Sequence, residues 1–431
     1  MNIYLAIVLG SMIAAWAVNT VVAVLNVKAL DPRLPQEFAG VYDAQAYAAS
    51  QRYTRDVARF DVVAETVGLA VGVAFILCGG FPFVDGLARS VGFGPVGTGV
   101  VFAAILLLIN DVLNLPFSVH RTFVIEERYG FNRTTARTFV LDRLRGWLLT
   151  GVIGGPLLAA LLWFFNAAGP LAWVWAWLAT VTVMAVMHYL APSLILPLFN
   201  TFTPLEPGPL RDAIEDYARR VGFALSGLYV MDGSRRSARS NAFFTGFGKR
   251  RRIALFDTLV AAHSPEEIVA VVAHEVGHYR KGHVLRHLAL GVARMGAVFL
   301  VMSFFLTSPG LHAAFGMDGV SAYAGLVFFL LLFAPVSMVL SVGQNVISRR
   351  HEYEADRFAA QTTGRPEALV SALRCLSVDN LSNLTPHPAH VFLNHSHPPV
   401  LARIRALRAL GAADATARDA DLASAVEHRA G

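Results

Sequence analysis

Seven stretches of this chain are apolar over a length that crosses a bilayer, at 3–27, 62–84, 97–119, 147–168, 171–196, 288–307 and 322–346. A helix needs about 20 such residues to span. The fourth and fifth stretches turn back on each other at Gly169-Pro170. Because the runs are spread along the chain, one soluble domain with a single anchor is excluded. Only 15% of residues are charged, against about 25% in soluble domains. The expected fold class is therefore mainly α, a polytopic membrane protein.

The loops between these stretches alternate in charge. Lys28, Arg33, Arg52, Arg55 and Arg59 follow the first stretch, and Arg121, Arg128, Arg133, Arg137, Arg143 and Arg145 follow the third. The long segment after the fifth and the C-terminal tail are also rich in arginine, whereas the opposite side offers Arg89. By the positive-inside rule the arginine-rich side is cytoplasmic and the N-terminus lies across the membrane from it. The net charge of +6 is thus read as topology and contact with lipid headgroups, not as a nucleic-acid surface. No basic region precedes the first apolar run, so that run is expected to be a retained helix rather than a cleaved signal. Asn19, Glu65, Asn110, Asn114, Asp111 and His188 lie in or near the runs. They either bond helix to helix or line a watery interior. The two cysteines, Cys78 and Cys375, fall in unrelated settings. Cys78 lies in an apolar run and Cys375 in an expected soluble helix, which argues against a disulfide, and the count argues against a cysteine-ligated metal site.

The chemistry concentrates after the fifth stretch. Ser264-Pro265-Glu266-Glu267 starts a helix, with a capping serine, proline in the first turn and a glutamate that completes a capping box. That helix reaches His274-Glu275-Val276-Gly277-His278. Histidines four apart share a helical face and reach one zinc ion, with Glu275 beside them to take a proton from the attacking water. His283 and His287 continue that face and are read as polar or interfacial. A third ligand is found directly after the seventh stretch, where Glu352 and Asp356 share a face. Glu352 completes the two-histidine-one-glutamate set of hydrolytic zinc enzymes, and Asp356 is placed to hold a ligand histidine by its other nitrogen. Glu354, on another face, is read as a surface or salt-bridged residue.

Four blocks in this order resemble the CAAX prenyl protease type 1 family of membrane metalloendopeptidases. They are Ser240-Asn241-Ala242-Phe243-Phe244-Thr245-Gly246-Phe247-Gly248, the His274–His278 motif, the Glu352–Asp356 motif, and Ser396-His397-Pro398-Pro399 followed by Arg403. The resemblance implies helices enclosing a chamber, closed by a cytosolic peptidase domain that holds one Zn2+. It implies that Asn241, Ala242, Phe243 and Phe244 form a strand pairing with substrate backbone. This agrees with the local pattern of a short β-hairpin through a Gly-Lys-Arg turn to Ile253-Ala254-Leu255-Phe256. It also implies that His397 steadies the oxyanion, with His395 a weaker candidate. The partners so implied are the bilayer and a peptide or protein substrate, of prenylated CAAX type if the likeness extends to substrate.

The chain then divides into spans one to five with basic loops at 1–200, a catalytic segment at 201–287, spans six and seven at 288–347, and a segment with the third ligand and tail at 348–431. The tail after Gly411, rich in Ala and Asp, is expected to be disordered. The whole chain has three lysines, Lys28, Lys249 and Lys281, against many arginines and alanines, which suggests a GC-rich bacterial genome and hence a bacterial inner membrane. A shorter quality-control membrane protease would have fewer spans. A site-2-type intramembrane protease would use Met231-Asp232-Gly233 or Met317-Asp318-Gly319 as ligand motif, and a metal-handling transporter leaves Glu275 and Glu352 without a task.

Overall fold

A computed structural model describes residues 2–245 and 252–412. Gly246, Phe247 and Gly248 of the first block, the Gly-Lys-Arg turn and the tail beyond 412 lie outside these residues. The candidate spans are Ile3–Lys28, Ala44–Leu77, Gly94–Glu126, Ala136–Ala167, Gly169–Phe199, His283–Phe305 and Ala322–Thr363. Val339 and Phe304, each 72% exposed, show the kind of surface these helices present, one that suits hydrocarbon and not water.

The second and seventh spans differ most from their apolar runs, and the fourth starts early, at Ala136. The second begins at Ala44, where the Asp43 side chain caps it by accepting from the Ala46 backbone N–H, and its first turns are too polar for an apolar count to register. It ends before Gly79, whose φ of +75° breaks the run, and a short helix Gly80–Arg89 follows. The seventh does not stop at 346 but continues unbroken to Thr363. One helix therefore carries both a membrane span and the Glu352–Asp356 motif.

The expected hairpin is part of a larger sheet. Strands β1 (Phe202–Pro204), β2 (Gly227–Met231), β3 (Ala242–Thr245) and β4 (Arg252–Phe256) lie in the order β1-β2-β4-β3. β2 and β4 are parallel, and the other pairs are antiparallel. A lone hairpin is marginal in water, and β2 supplies the support, though β1 has only three residues and β2 pairs with partners remote in sequence. Among the described residues β3 pairs with β4 alone and forms one edge of the sheet, with β1 at the other.

The metal-motif helix, Pro265–Arg280, buries Ile268, Val272, Ala273 and Val276 against Ile253 and Leu255 of β4, Tyr217 and Val370. That apolar face fixes its rotation and turns the histidines toward the seventh-span helix. The two helices meet at Gly277, where a Cβ would lie 3.1 Å from both Cα and carbonyl O of Ala355. Gly277→Ala is expected to lower stability by about 1–3 kcal/mol through overpacking and to loosen metal retention. Thermal unfolding and metal analysis after chelation check both, and a variant unchanged in both would show that this contact does not set the helix spacing.

The arginine-rich loops also clasp the soluble segment. Arg236 pairs with Asp142 at 2.7 and 3.0 Å, Arg239 with Glu126 at 3.0 Å, and the Arg133 N–H donates to the Arg236 carbonyl at 3.0 Å. Within the spans, Arg143 grips Asp111 at 2.9 and 2.5 Å. Asn19 and Glu65 line a cavity of about 410 Å3 that also touches Asn26, Asn383 and His390.

Candidate metal centre

The two helices bring His274, His278 and Glu352 together, with one donor atom of each inside 4.8 Å of the others. The His274 and His278 Nε2 atoms are 3.1 Å apart. Glu352 Oε1 is 3.2 Å from His278 Nε2, and Oε2 is 3.5 Å from His274 Nε2. Bonds of about 2.0–2.1 Å to a tetrahedral ion give edges of about 3.3 Å between ligands, which these distances straddle. Glu352 Oε2 is buried and has no hydrogen-bond partner among the described residues, as suits a lone pair reserved for a cation. The donor set therefore fits a single zinc-type ion.

Behind the ligands sits a second layer of charge. Asp356 Oδ1 lies 2.9 Å from His274 Nδ1, so the opposite ring nitrogen faces the ion position. Asp356 in turn accepts a two-pronged contact from Arg403, Nε to Oδ2 at 2.8 Å and Nη2 to Oδ1 at 2.6 Å. Arg403 Nη1 also reaches Glu352 Oε2 at 3.4 Å. Burial alone would weaken the charge on Arg403, but Asp356 and Glu352 outweigh it and raise its pKa. Burial likewise pulls His274 down, yet its bonds to Asp356 and Glu352 win and lift it to about 9. Metal uptake at neutral pH therefore displaces a proton from this ring.

His278 is backed differently. Its Nδ1 lies 3.1 Å from His283 Nδ1, and His283 Nε2 lies 3.0 Å from Glu354. His351 stacks on His283 at 3.9 Å and contacts His287 Nε2 at 3.0 Å. Glu354, read from sequence as a surface or salt-bridged residue, is paired with His283, and His283, read as polar or interfacial, is buried against the candidate ligand His278. No spacing rule links them, because they meet across two helices. Arg403 carried no role in the sequence for the same reason, although it stood in the last block.

His397 sits on the loop between helix Pro388–Asn394 and the helix at 400–412. Its Nε2 is 3.3 Å from Glu352 Oε1 and its side chain is 64% exposed, so it borders the ion position from the open side. Arg349 pins this loop by donating to the carbonyls of Val391 and His395 at 3.1 and 2.6 Å. The His395 ring packs against His390 instead. Glu275 is half-buried on the metal-motif helix, near enough for its charge to act on Arg403. On the sheet edge, Asn241 is exposed and its side chain accepts from the Ala242 N–H at 2.8 Å. Ala242, Phe243 and Phe244 face Leu255, Ala254 and Ile253 of β4, leaving the other side of that backbone for an added strand, and β3 touches the metal-motif helix.

Residues 23–201 match the family described as CAAX prenyl protease N-terminal, five membrane helices, and residues 204–411 match peptidase family M48. The chain is 34% identical over 417 residues to the CAAX prenyl protease 1 homolog of Arabidopsis thaliana, covering 94% of this chain and 97% of the relative. It is 32% identical to the human homolog, over 88% of this chain and 89% of the relative. The crystal structure of Ste24p from S. mikatae superposes with a TM-score of 0.90 at 30% identity, covering 94% of this chain and 99% of that one.

Proposed function

Because the chain belongs to the CAAX prenyl protease 1 family, multi-pass membrane proteins with an M48 metallopeptidase part, we propose that it is a zinc-dependent endopeptidase acting near the C-terminus of CAAX-type prenylated peptides. One observation carries this reading: a two-histidine-one-glutamate set lies beside an unpaired strand edge.

His274, His278 and Glu352 hold the ion, and Asp356 fixes the His274 tautomer. When bound, zinc acts as a Lewis acid that makes water acidic near neutral pH and polarises a carbonyl. Glu275 takes the proton of the attacking water and returns it to the leaving amine. Asn241, Ala242, Phe243 and Phe244 align the peptide as an added strand. His397 donates a hydrogen bond to the developing oxyanion, and His397→Ala is expected to lower kcat by about 10²–10³ with metal content unchanged. A comparable rise in KM with kcat unchanged would make His397 a binding residue instead.

The catalytic segments 201–287 and 348–431 work as one unit on the cytoplasmic side of a bacterial inner membrane, which the arginine-rich loops support. The test is purification in detergent with metal analysis and cleavage of a farnesylated CAAX peptide and its unprenylated twin. Cleavage preferring the farnesylated peptide supports the full reading. Equal cleavage of both removes prenyl recognition from it, and bound zinc without cleavage of either removes the substrate class.

A further inference from the structure

A second cluster of ligating side chains stands at the start of the metal-motif helix, away from its catalytic end. His263, Glu267 and Cys375 each offer a donor atom within 4.8 Å of the others. The His263 side chain is wholly buried. Neither of its ring nitrogens has a hydrogen-bond partner among the described residues. Burying two such nitrogens unsatisfied costs free energy, which a cation would recover.

The distances have the dimensions of a coordination shell. His263 Nδ1 is 3.6 Å from Glu267 Oε2, which also accepts from the Ser264 N–H at 2.9 Å in the capping box. Glu267 Oε1 accepts from the Cys375 thiol at 3.7 Å and from Ser371 Oγ at 2.5 Å, so an ion would take the remaining lone pairs of this carboxylate. Bonds of about 2.0–2.3 Å to a tetrahedral ion place mixed N, O and S ligands about 3.3–3.7 Å apart. On the far side of the ring, His263 Nε2 lies 3.4 Å from Asp379 Oδ2 without a hydrogen bond between them, so a carboxylate stands near the nitrogen opposite the proposed ion position. The cysteine count, which from sequence alone argued against a cysteine-ligated site, speaks only against sites built from several cysteines. This set needs one.

We propose that His263, Glu267 and Cys375 bind a second, thiophilic divalent cation of the zinc class, with the Cys375 thiol giving up its proton on binding. A nitrogen, a carboxylate oxygen and a sulfur together favour zinc over magnesium or calcium. The ion joins the first turn of the metal-motif helix to helix Pro366–Asp379. Asp379 extends the link, since it also accepts from Ser240 Oγ at 3.1 Å at the entrance to β3. Burial and Glu267 hold the free thiol above its usual pKa, so without a metal it is a poor nucleophile.

Cobalt separates this site from the catalytic one, whose ligands contain no sulfur. The full chain, thiols reduced, is stripped with chelator in detergent and reloaded with Co2+. A sulfur-to-cobalt charge-transfer band in the near ultraviolet is expected. It should persist in Cys78→Ser and vanish in Cys375→Ser and in His263→Asn, with bound metal falling from about two ions per chain to about one. One ion and no such band in the wild-type chain overturns the second site and leaves the first standing. A band that survives Cys375→Ser also overturns it, and no bound cobalt at all overturns both assignments.

Discussion

Replacing Glu275 with glutamine is expected to lower peptide turnover by about 10³- to 10⁴-fold while the chain keeps its catalytic metal. The amide matches the carboxylate in shape but cannot take a proton from water at neutral pH. In the proposed assignment His274, His278 and Glu352 hold the ion, and their donor atoms converge without Glu275. Metal content and single-turnover cleavage, measured on one preparation, separate the two effects. If Glu275→Gln keeps activity within about tenfold of wild type, a group with a smaller share of the proton transfer than a general base would be indicated. If instead the metal is lost, Glu275 belongs to the ligand set and the mechanism must be redrawn.

The largest effect on the fold is expected at Arg403. Arg403→Met keeps much of the side-chain volume but leaves Asp356 and Glu352, both buried, without their guanidinium partner. Removing one member of a buried ion pair typically costs about 3–5 kcal/mol. Thermal unfolding in chelator should show that loss in full. Unfolding in zinc should show less of it, because the ion supplies positive charge to the same carboxylates. Arg403→Lys restores a point charge without the two-pronged contact to Asp356, so it should recover part of the stability. An Arg403→Met chain that melts like wild type in chelator would refute this account of the buried charges.

What could be read in the sequence was what lies within one helix. The four-residue spacings put His274 with His278, and Glu352 with Asp356, each pair on a single face, and apolar length located seven spans. What could not be read depends on chain-distant packing. Arg403 meets Asp356 across 47 residues and His283 meets Glu354 across 71, and no periodicity encodes such meetings. The second span began early because its first turns, from Ala44, are helical but not apolar. The sheet appeared only as a hairpin because β1 has three residues and β2 gains its place through a parallel partner remote in sequence. The arginines after the third stretch counted as topology, but the side-chain links to the peptidase segment run the other way, from Arg236 and Arg239 of that segment to Asp142 and Glu126 of the loop, and these had to be seen in the structure.

The unbroken helix from Ala322 to Thr363 is a lever. At 1.5 Å per residue it is about 60 Å long, twice the roughly 30 Å of hydrocarbon it crosses. One arm lies in lipid, and the other carries Glu352 and runs on to Thr363. Spans answer a change in bilayer thickness by tilting. With Glu352 about 27 Å beyond the middle of the membrane-crossing part, a tilt of about 5° would sweep its carboxylate by about 2 Å, against a tolerance near 0.2 Å for a metal bond. The contact at Gly277 must therefore act as a fulcrum that makes the catalytic helix follow. A change in bilayer thickness would then turn the two helices together and leave the spacing of the His274, His278 and Glu352 donor atoms as it is.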